Sequence, residues 1–165
     1  MRTILTFCLS VFFLSSGLLA QNEFAKVIHE FAEINVEAIK ENDMDKKLAL
    51  VHPNLIAMGG GEKSYRSILE SEKKMMDQHK IKIIKAEFGI PGNIVKAGPE
   101  LHCIVPQTLF IEFGGEPAEE TTNLLAASLD DGETWKFVDL NQHDASSIKV
   151  FFPYFSEDLM SAFDR

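Results

Sequence analysis

Residues 100–113 read ELHCIVPQTLFIEF, and this stretch decides the fold class. Its odd positions form an apolar row that only a glutamine interrupts: Leu101, Cys103, Val105, Gln107, Leu109, Ile111 and Phe113. Alternation with a period of two is typical of a β-strand with one buried face. Pro106 lacks a backbone N–H, so it predicts a bulge or an edge segment. The stretch therefore predicts one long strand.

Further strand patterns lie on both sides of this stretch. Residues 81–88 and 93–97 precede it, and residues 121–129 and 134–140 follow it. We interpret 114–120, which reads GGEPAEE, as a polar hairpin connection. Short polar connections favour antiparallel pairing, because parallel strands need long crossovers.

The N-terminal half has the apolar period of helices instead. Spacings of three and four residues predict three helices, over 22–41, 45–51 and 64–79. Between the last two, residues 55–58 are a short strand candidate. After the strands, Asp144 can cap a short C-terminal helix that ends at Pro153. Helices, then antiparallel strands, then a short helix predict an α+β fold.

Residues 128–135 read SLDDGETW and fit the pattern S-x-D-x-G-x-T-W at every fixed position. The string resembles the Asp-box of sialidases and related β-propellers, a folding device that lies away from their active sites. The Asp130 carboxylate can accept backbone N–H bonds across a turn, Gly132 supplies a positive φ, and Trp135 packs back on the hairpin. A propeller needs several such blades, and the chain has one copy. The string therefore predicts a structural hairpin and not sialidase activity.

The whole succession resembles the NTF2-like superfamily (the SnoaL-like, cystatin-like α+β roll). The resemblance covers about 24–140 and includes LALVHPNLIAMGGGEK and a last strand in TWKFVDL. The tail, from LLAASLDDGETWKFVDLNQ through FFPYF, also resembles uncharacterised secreted proteins of Bacteroidetes-type bacteria. The resemblance implies N-terminal helices on a curved antiparallel sheet that closes into a cone with an apolar pocket. Some members are isomerases or dehydratases and many bind without catalysis, but no family catalytic motif matches here.

Charge and the N-terminus restrict the class of protein. The 165 residues include 16 basic and 25 acidic side chains, a formal net charge of −9. This charge disfavours nucleic-acid binding, which needs a basic surface. Arg2, the apolar run 4–19 and Ala20 are typical of a secretory signal peptide. We expect residues 1–20 to be removed and 21–165 to form a single secreted or periplasmic domain, with a retained N-terminal anchor as the alternative.

Polar side chains on apolar faces are the candidate pocket residues. Gln107 interrupts the row of the long strand, His102 and Asn123 lie on neighbouring strand segments, and Tyr65 lies on the third helix. We interpret these four as weak ligand-binding candidates, with bulge or rim positions as the alternative. Cys103 is interpreted as a buried, inert thiol. No two of the five histidines show HxH or HxxxH spacing, so no metal or cofactor is predicted.

Three functions are compatible with these patterns. The first is non-catalytic binding of a small apolar or amphipathic ligand or of a protein partner. The second is acid–base catalysis in a cone pocket, with His102 or a carboxylate as the base. The third is assembly as a homodimer through the sheet. A buried His–carboxylate pair in the pocket would favour the enzyme, and an all-apolar pocket would favour binding.

Overall fold

The computed structural model describes residues 23–163. Its helices are α1 (23–41), α2 (Met44–Leu50), α3 (Pro53–Met58), α4 (Glu62–Gln78) and α5 (Ala145–Phe151). Its strands are β1 (Ile81–Phe88), β2 (Val95–Ala97), β3 (Glu100–Phe113), β4 (Glu116–Ser128) and β5 (Lys136–Asp139). Two 3-10 helices span Leu140–Gln142 and Glu157–Phe163. The predicted signal peptide and its cleavage site lie outside the described residues.

The strands form one open antiparallel sheet in the order β1-β3-β4-β5. The prediction of an α+β fold with an antiparallel sheet is therefore confirmed. β2 also pairs with β3, at its first three residues, beyond the end of β1. The pairing of β3 with β4 is continuous from Leu101↔Ser128 to Phe113↔Glu116 and sets the register of the whole sheet.

Helices cover both faces of this sheet. On the face that we call the α1 face, Ile28 and Ala32 of α1 pack against Cys103, Val105 and the strands beside them. On the opposite face, α3 and α5 pack against side chains of the alternate register: Ile104, Leu125, Ala127 and Val138. β3 therefore contributes to two separate apolar clusters, one through its odd residues and one through its even residues.

Two sequence predictions of local structure are wrong. Residues 55–58 belong to helix α3 and not to a strand, because Pro53 occupies the first turn and the His52 side chain caps it. The connection 114–120 is also shorter than predicted. Only Gly114 and Gly115, with φ of 64° and 99°, form the turn, and the acidic residues after them already pair in β4.

Pro106 causes no bulge, because the register between β3 and β4 continues through it. The irregularity of the sheet lies instead in β1, between Ile83 and Lys85. Pro106 lies where β3 passes from its pairing with β1 to its pairing with β2, and its carbonyl accepts the Gly89 N–H at 2.8 Å. The backbone N and O of a strand residue point to the same side. The side of Pro106 that lacks an N–H therefore faces the interval between β1 and β2, where neither strand pairs with β3. Of the two predictions for Pro106, a bulge or an edge segment, the edge segment describes its position.

The turn between β4 and β5 contains the Asp-box-like string. Asp130 accepts the Thr134 N–H at 2.9 Å, and the Ser128 hydroxyl accepts the Gly132 N–H at 2.8 Å. Gly132 has a φ of 98°, and its carbonyl accepts the indole N–H of the fully buried Trp135 at 3.2 Å. A side chain at Gly132 would overlap the ring of Phe24 on α1. The turn thus fixes the start of α1 on the sheet.

Substitution of two glycines tests this docking. Gly132 and Gly115 have nearly the same φ, 98° and 99°, but no atom lies within 4 Å of a Cβ at Gly115. We expect Gly115→Ala to lower the free energy of unfolding by about 1 kcal/mol through backbone strain. Gly132→Ala is expected to lose roughly 1–3 kcal/mol more, because Phe24 must move. Urea denaturation measures both, and equal losses would contradict the role of Phe24.

Candidate functional site

Two histidines and one carboxylate meet beneath the C-terminal part of the chain. We call His52, Glu100 and His102 the histidine cluster. His52 lies between α2 and α3, and the other two lie at the start of β3, where alternate residues share one face. Glu100 Oε2 is 2.8 Å from His102 Nε2 and 3.3 Å from His52 Nε2. Both imidazoles therefore point at one carboxylate oxygen.

Hydrogen-bond partners assign the proton on each neutral ring. His52 Nδ1 accepts the Asn54 N–H at 3.2 Å, so the proton of His52 is on Nε2. His102 Nε2 donates to Glu100, which leaves its Nδ1 as a bare nitrogen. Among residues 23–163 that Nδ1 has no hydrogen-bond partner although it is buried, and His52 Nε2 lies near Glu100 without good hydrogen-bond geometry. In this arrangement both rings direct Nε2 toward Glu100 and keep Nδ1 on the far side.

Aromatic rings close the cluster from the side of the C-terminal segment, which we define as residues 144–163. The Phe152 ring centroid is 4.7 Å from that of His52 and 5.4 Å from that of His102. Phe155 lies 6.0 Å from His102. The exposed fractions of His52 and His102 are 0% and 1%. A substrate therefore cannot reach either imidazole while Phe152 is in place.

Burial sets the electrostatics of the site. Loss of hydration lowers the pKa of His52 below its usual value, although the Glu100 charge acts in the other direction. Burial also raises the pKa of the Cys103 thiol to about 12, and the thiol donates a hydrogen bond to the Gly92 carbonyl. Cys103 is buried on the α1 face, as the sequence predicted, and its pKa makes the thiolate scarce at neutral pH.

The donor chemistry of the cluster does not suit a metal ion. A ligating histidine needs a bare nitrogen toward the metal and a protonated nitrogen away from it. His52 shows the reverse, because its bare Nδ1 already accepts the Asn54 N–H. Within residues 23–163 no group of three or more His, Cys, Asp or Glu side chains is arranged to hold a metal.

The four predicted ligand-binding residues do not line one cavity. Gln107 is on the α1 face, beside its cross-strand neighbours Phe88 and Thr122. Asn123 is on the opposite face, where its amide donates to the Ala162 carbonyl at 3.1 Å. Tyr65 is half-buried and packs against the apolar side chains of that opposite face, and burial raises the pKa of its hydroxyl. His102 alone belongs to the histidine cluster.

Gln107 nevertheless lies next to an open groove between α1 and β1. We call this feature the α1–β1 groove; its volume is about 480 Å³, and it is lined by Glu33, Ile34, Val36, Glu37, Lys40, Lys85, Ala86 and Phe88. Phe88 is the direct partner of Gln107 across β1 and β3, so the two side chains share a face. Gln107 is 5% exposed. Two further grooves run along α4.

Sequence reasoning missed His52 and Glu100. The signal for Glu100 was present, because a strand with glutamate and histidine two residues apart presents both on one face. No local pattern pointed to His52, which meets His102 only through the packing of α3 on the sheet.

No protein-family model matches the chain, and no curated protein or solved structure matches it significantly. No helix within the described part, residues 23–163, has the length and apolar character needed to cross a membrane.

Chemical modification tests whether the histidine cluster is closed. Diethyl pyrocarbonate acylates neutral imidazoles that solvent can reach. At pH 7 we expect it to modify His79, which is exposed, and to leave His52 and His102 unmodified in the folded protein. Mass spectrometry of peptides gives the rate at each site. Modification of His102 as fast as His79 would show an accessible base and would favour an enzyme.

Proposed function

We propose that the chain is an exported, non-catalytic binding domain that takes a small amphipathic amine in the α1–β1 groove. The observation that carries this proposal is the α1–β1 groove itself, which has a suitable size, apolar walls and a charged rim, and which lies beside the 5% exposed Gln107. Small-molecule sites commonly measure about 300–1,000 Å³ and combine apolar walls with a few polar groups. The α1–β1 groove has this composition.

The apolar part of the ligand would lie on Ile34, Ala86 and Phe88. Ile34 is 45% exposed although it lies on the helix that packs on the sheet. Covering such surface with an alkyl or aryl group is favourable by about 25 cal/mol for each Å² of apolar area. This contribution supplies affinity with little demand on the exact shape of the ligand.

The charges at the rim favour a cationic head group. Lys40 pairs with Glu37 at 3.1 Å, and Lys85 pairs with Glu87 at 2.6 Å. Glu33 has no ion-pair partner within residues 23–163. The net charge of −9 adds a field that attracts cations to the surface. An amine therefore complements the groove better than a carboxylate does.

Membership of the NTF2-like superfamily, export and a homodimer remain proposals. The NTF2-like proposal is supported by the order of helices before an antiparallel sheet. In that superfamily the helices lie inside a cone; here α1 covers one face of the sheet, and α3 and α5 pack on the other. Export rests on the sequence of residues 1–20.

Acid–base catalysis is the second candidate function, and the histidine cluster is the observation that favours it. A carboxylate 2.8 Å from an imidazole is the arrangement of a general base and its orienting group. A base must also reach the proton that it removes, and Phe152 covers both rings. We therefore rank binding above catalysis.

A titration with octylamine tests the proposed ligand class. We expect backbone amide shifts in NMR spectra to change along α1 and β1 with octylamine, less with octanol and least with octanoate. Glu33→Gln should weaken octylamine binding about two- to fivefold, the range of an exposed ion pair. Glu30→Gln is the matched control, since Glu30 lies on the same helix outside the groove and pairs with Lys26. Shifts confined to α4, or equal effects of both variants, would contradict the proposal.

A second variant tests the role of the buried amide. Gln107→Leu keeps the approximate volume and removes the polar group. If the amide contacts the ligand, octylamine affinity should fall about three- to tenfold, as for one lost hydrogen bond, while the protein stays folded. Calorimetry measures the affinity, and thermal denaturation measures the fold. A more stable protein with unchanged affinity would mean that Gln107 is only a tolerated polar group in the core.

A further inference from the structure

We propose that the C-terminal segment, residues 144–163, is released from the sheet by mild acid, and that the histidine cluster is the trigger. The segment covers the apolar residues Ile104, Leu125 and Val138 on the opposite face of the sheet. Its release would uncover an apolar surface that is closed at neutral pH. This inference concerns a different face from the α1–β1 groove and does not depend on the proposed ligand.

The position of the added proton carries the argument. Both rings already hold a proton on Nε2, next to Glu100. A second proton must therefore go to Nδ1 of either ring. At His52 it would oppose the Asn54 N–H, which now donates to that atom, and the cap of α3 would be lost. At His102 it would be a buried donor without an acceptor. Each protonation thus leaves a buried polar group unsatisfied, which is costly.

Opening removes this cost because it brings the rings into contact with water. Phe152 and Phe155 are the rings of the C-terminal segment that cover the histidines. Acid thus favours the open state, in which the imidazoles charge freely. The lowered pKa of His52 in the closed state likewise means that acid favours opening. The closed state is fully stable above pH of about 6.5, the ordinary value for histidine, and loses stability as the pH falls below it.

The segment is also attached by apolar packing, since Ile148, Leu159 and Ala162 are buried in the same cluster as Leu125 and Val138. Its other contacts are polar or peripheral. Asn54 donates to the Phe151 carbonyl at 2.8 Å, and Asn123 donates to the Ala162 carbonyl at 3.1 Å. The ring of Tyr154 lies over Gly98 in the turn between β2 and β3. None of these contacts contains a group that titrates between pH 7.5 and 5. The histidine cluster is therefore the acid-sensitive part of the attachment.

Other charged groups around the cluster do not supply the effect. Lys136 on β5 lowers the pKa of His52 in the same direction as burial does, and its Nζ donates a hydrogen bond to the Ala49 carbonyl. On the segment itself, Lys149 pairs with Glu157 at 2.6 Å, away from the rings. The pKa of Asp144, which caps α5, is held at about 2 by hydrogen bonds from Ser146 and Ser147, so that cap persists. His143 lies 5.2 Å from Phe151 and is tested below as a separate control.

Hydrogen exchange measured by mass spectrometry tests the proposal on the purified protein between pH 7.5 and 5. After correction for intrinsic exchange, the opening constant of residues 145–163 should rise by up to about tenfold per pH unit as His52 gains a proton. Trp135 is the single tryptophan and is buried on the α1 face, so its fluorescence reports unfolding of the rest. We expect its emission to stay that of a buried indole. If the opening constant of the segment did not change with pH, or if Trp135 became exposed over the same pH range, the proposal would be overturned.

Variants separate the trigger from other histidines. In the double variant His52→Asn, His102→Gln, the Asn oxygen can still cap α3 and the Gln amide can still donate to Glu100, but neither side chain titrates. Its segment should show no acid response. His79→Gln and His143→Gln should respond like the wild type. An unchanged response in the double variant, or its loss in His143→Gln, would refute the cluster as trigger. If the double variant does not fold, the single variant His52→Asn should reduce the slope by about one proton, and an unchanged slope would count against it.

Discussion

The continuous pairing of β3 with β4 is the constraint on which the other packing depends. Because side chains alternate along a strand, an unbroken register from Leu101 to Phe113 assigns every residue of β3 to one face. Cys103 and Val105 thus pack against α1, and His102 and Ile104 pack against α3 and the C-terminal segment. A shift of one residue would place the histidine against α1 and the thiol beneath Phe152. The continuous register therefore maintains two chemically different layers.

The turn after β4 and the histidine cluster use polar side chains in different ways. At the turn after β4, hydrogen bonds among Ser128, Asp130 and Thr134 close a local loop, and its partners are at most a few residues apart. In the histidine cluster the partners come from distant segments, His52 before α3 and Glu100 on the sheet. A local network forms with the hairpin, whereas the distant one forms only when α3 and the sheet have docked. For this reason the turn network stabilises one hairpin, whereas the histidine cluster couples α3 to the sheet.

The sequence was informative where a pattern is local and long. The period-two row of 100–113 and the helical spacing of 22–41 both predicted elements close to those observed. The strand prediction for residues 55–58 was wrong, because four apolar residues fit a strand or a helix equally well. Pro53 in the first turn favours the helix. The site was harder, since Gln107 and Asn123 fall on different faces and His52 meets Glu100 only in three dimensions. Periodicity assigns a residue to a face of its own element, but not to the helix that will cover it.

Strand β3 contributes residues to the histidine cluster and lies beside the α1–β1 groove, but the two sites are separate. Glu100 and Gln107 lie on β3 seven residues apart, and their side chains point to opposite faces of the sheet. Release of the C-terminal segment would expose the layer that contains Ile104 and leave the α1 layer covered. A β-strand that keeps its pairing on one edge moves little when one face is uncovered, and β4 pairs along the whole of β3. The energetic coupling between the histidine cluster and the α1–β1 groove should therefore be small, and each can be altered by mutation without changing the other.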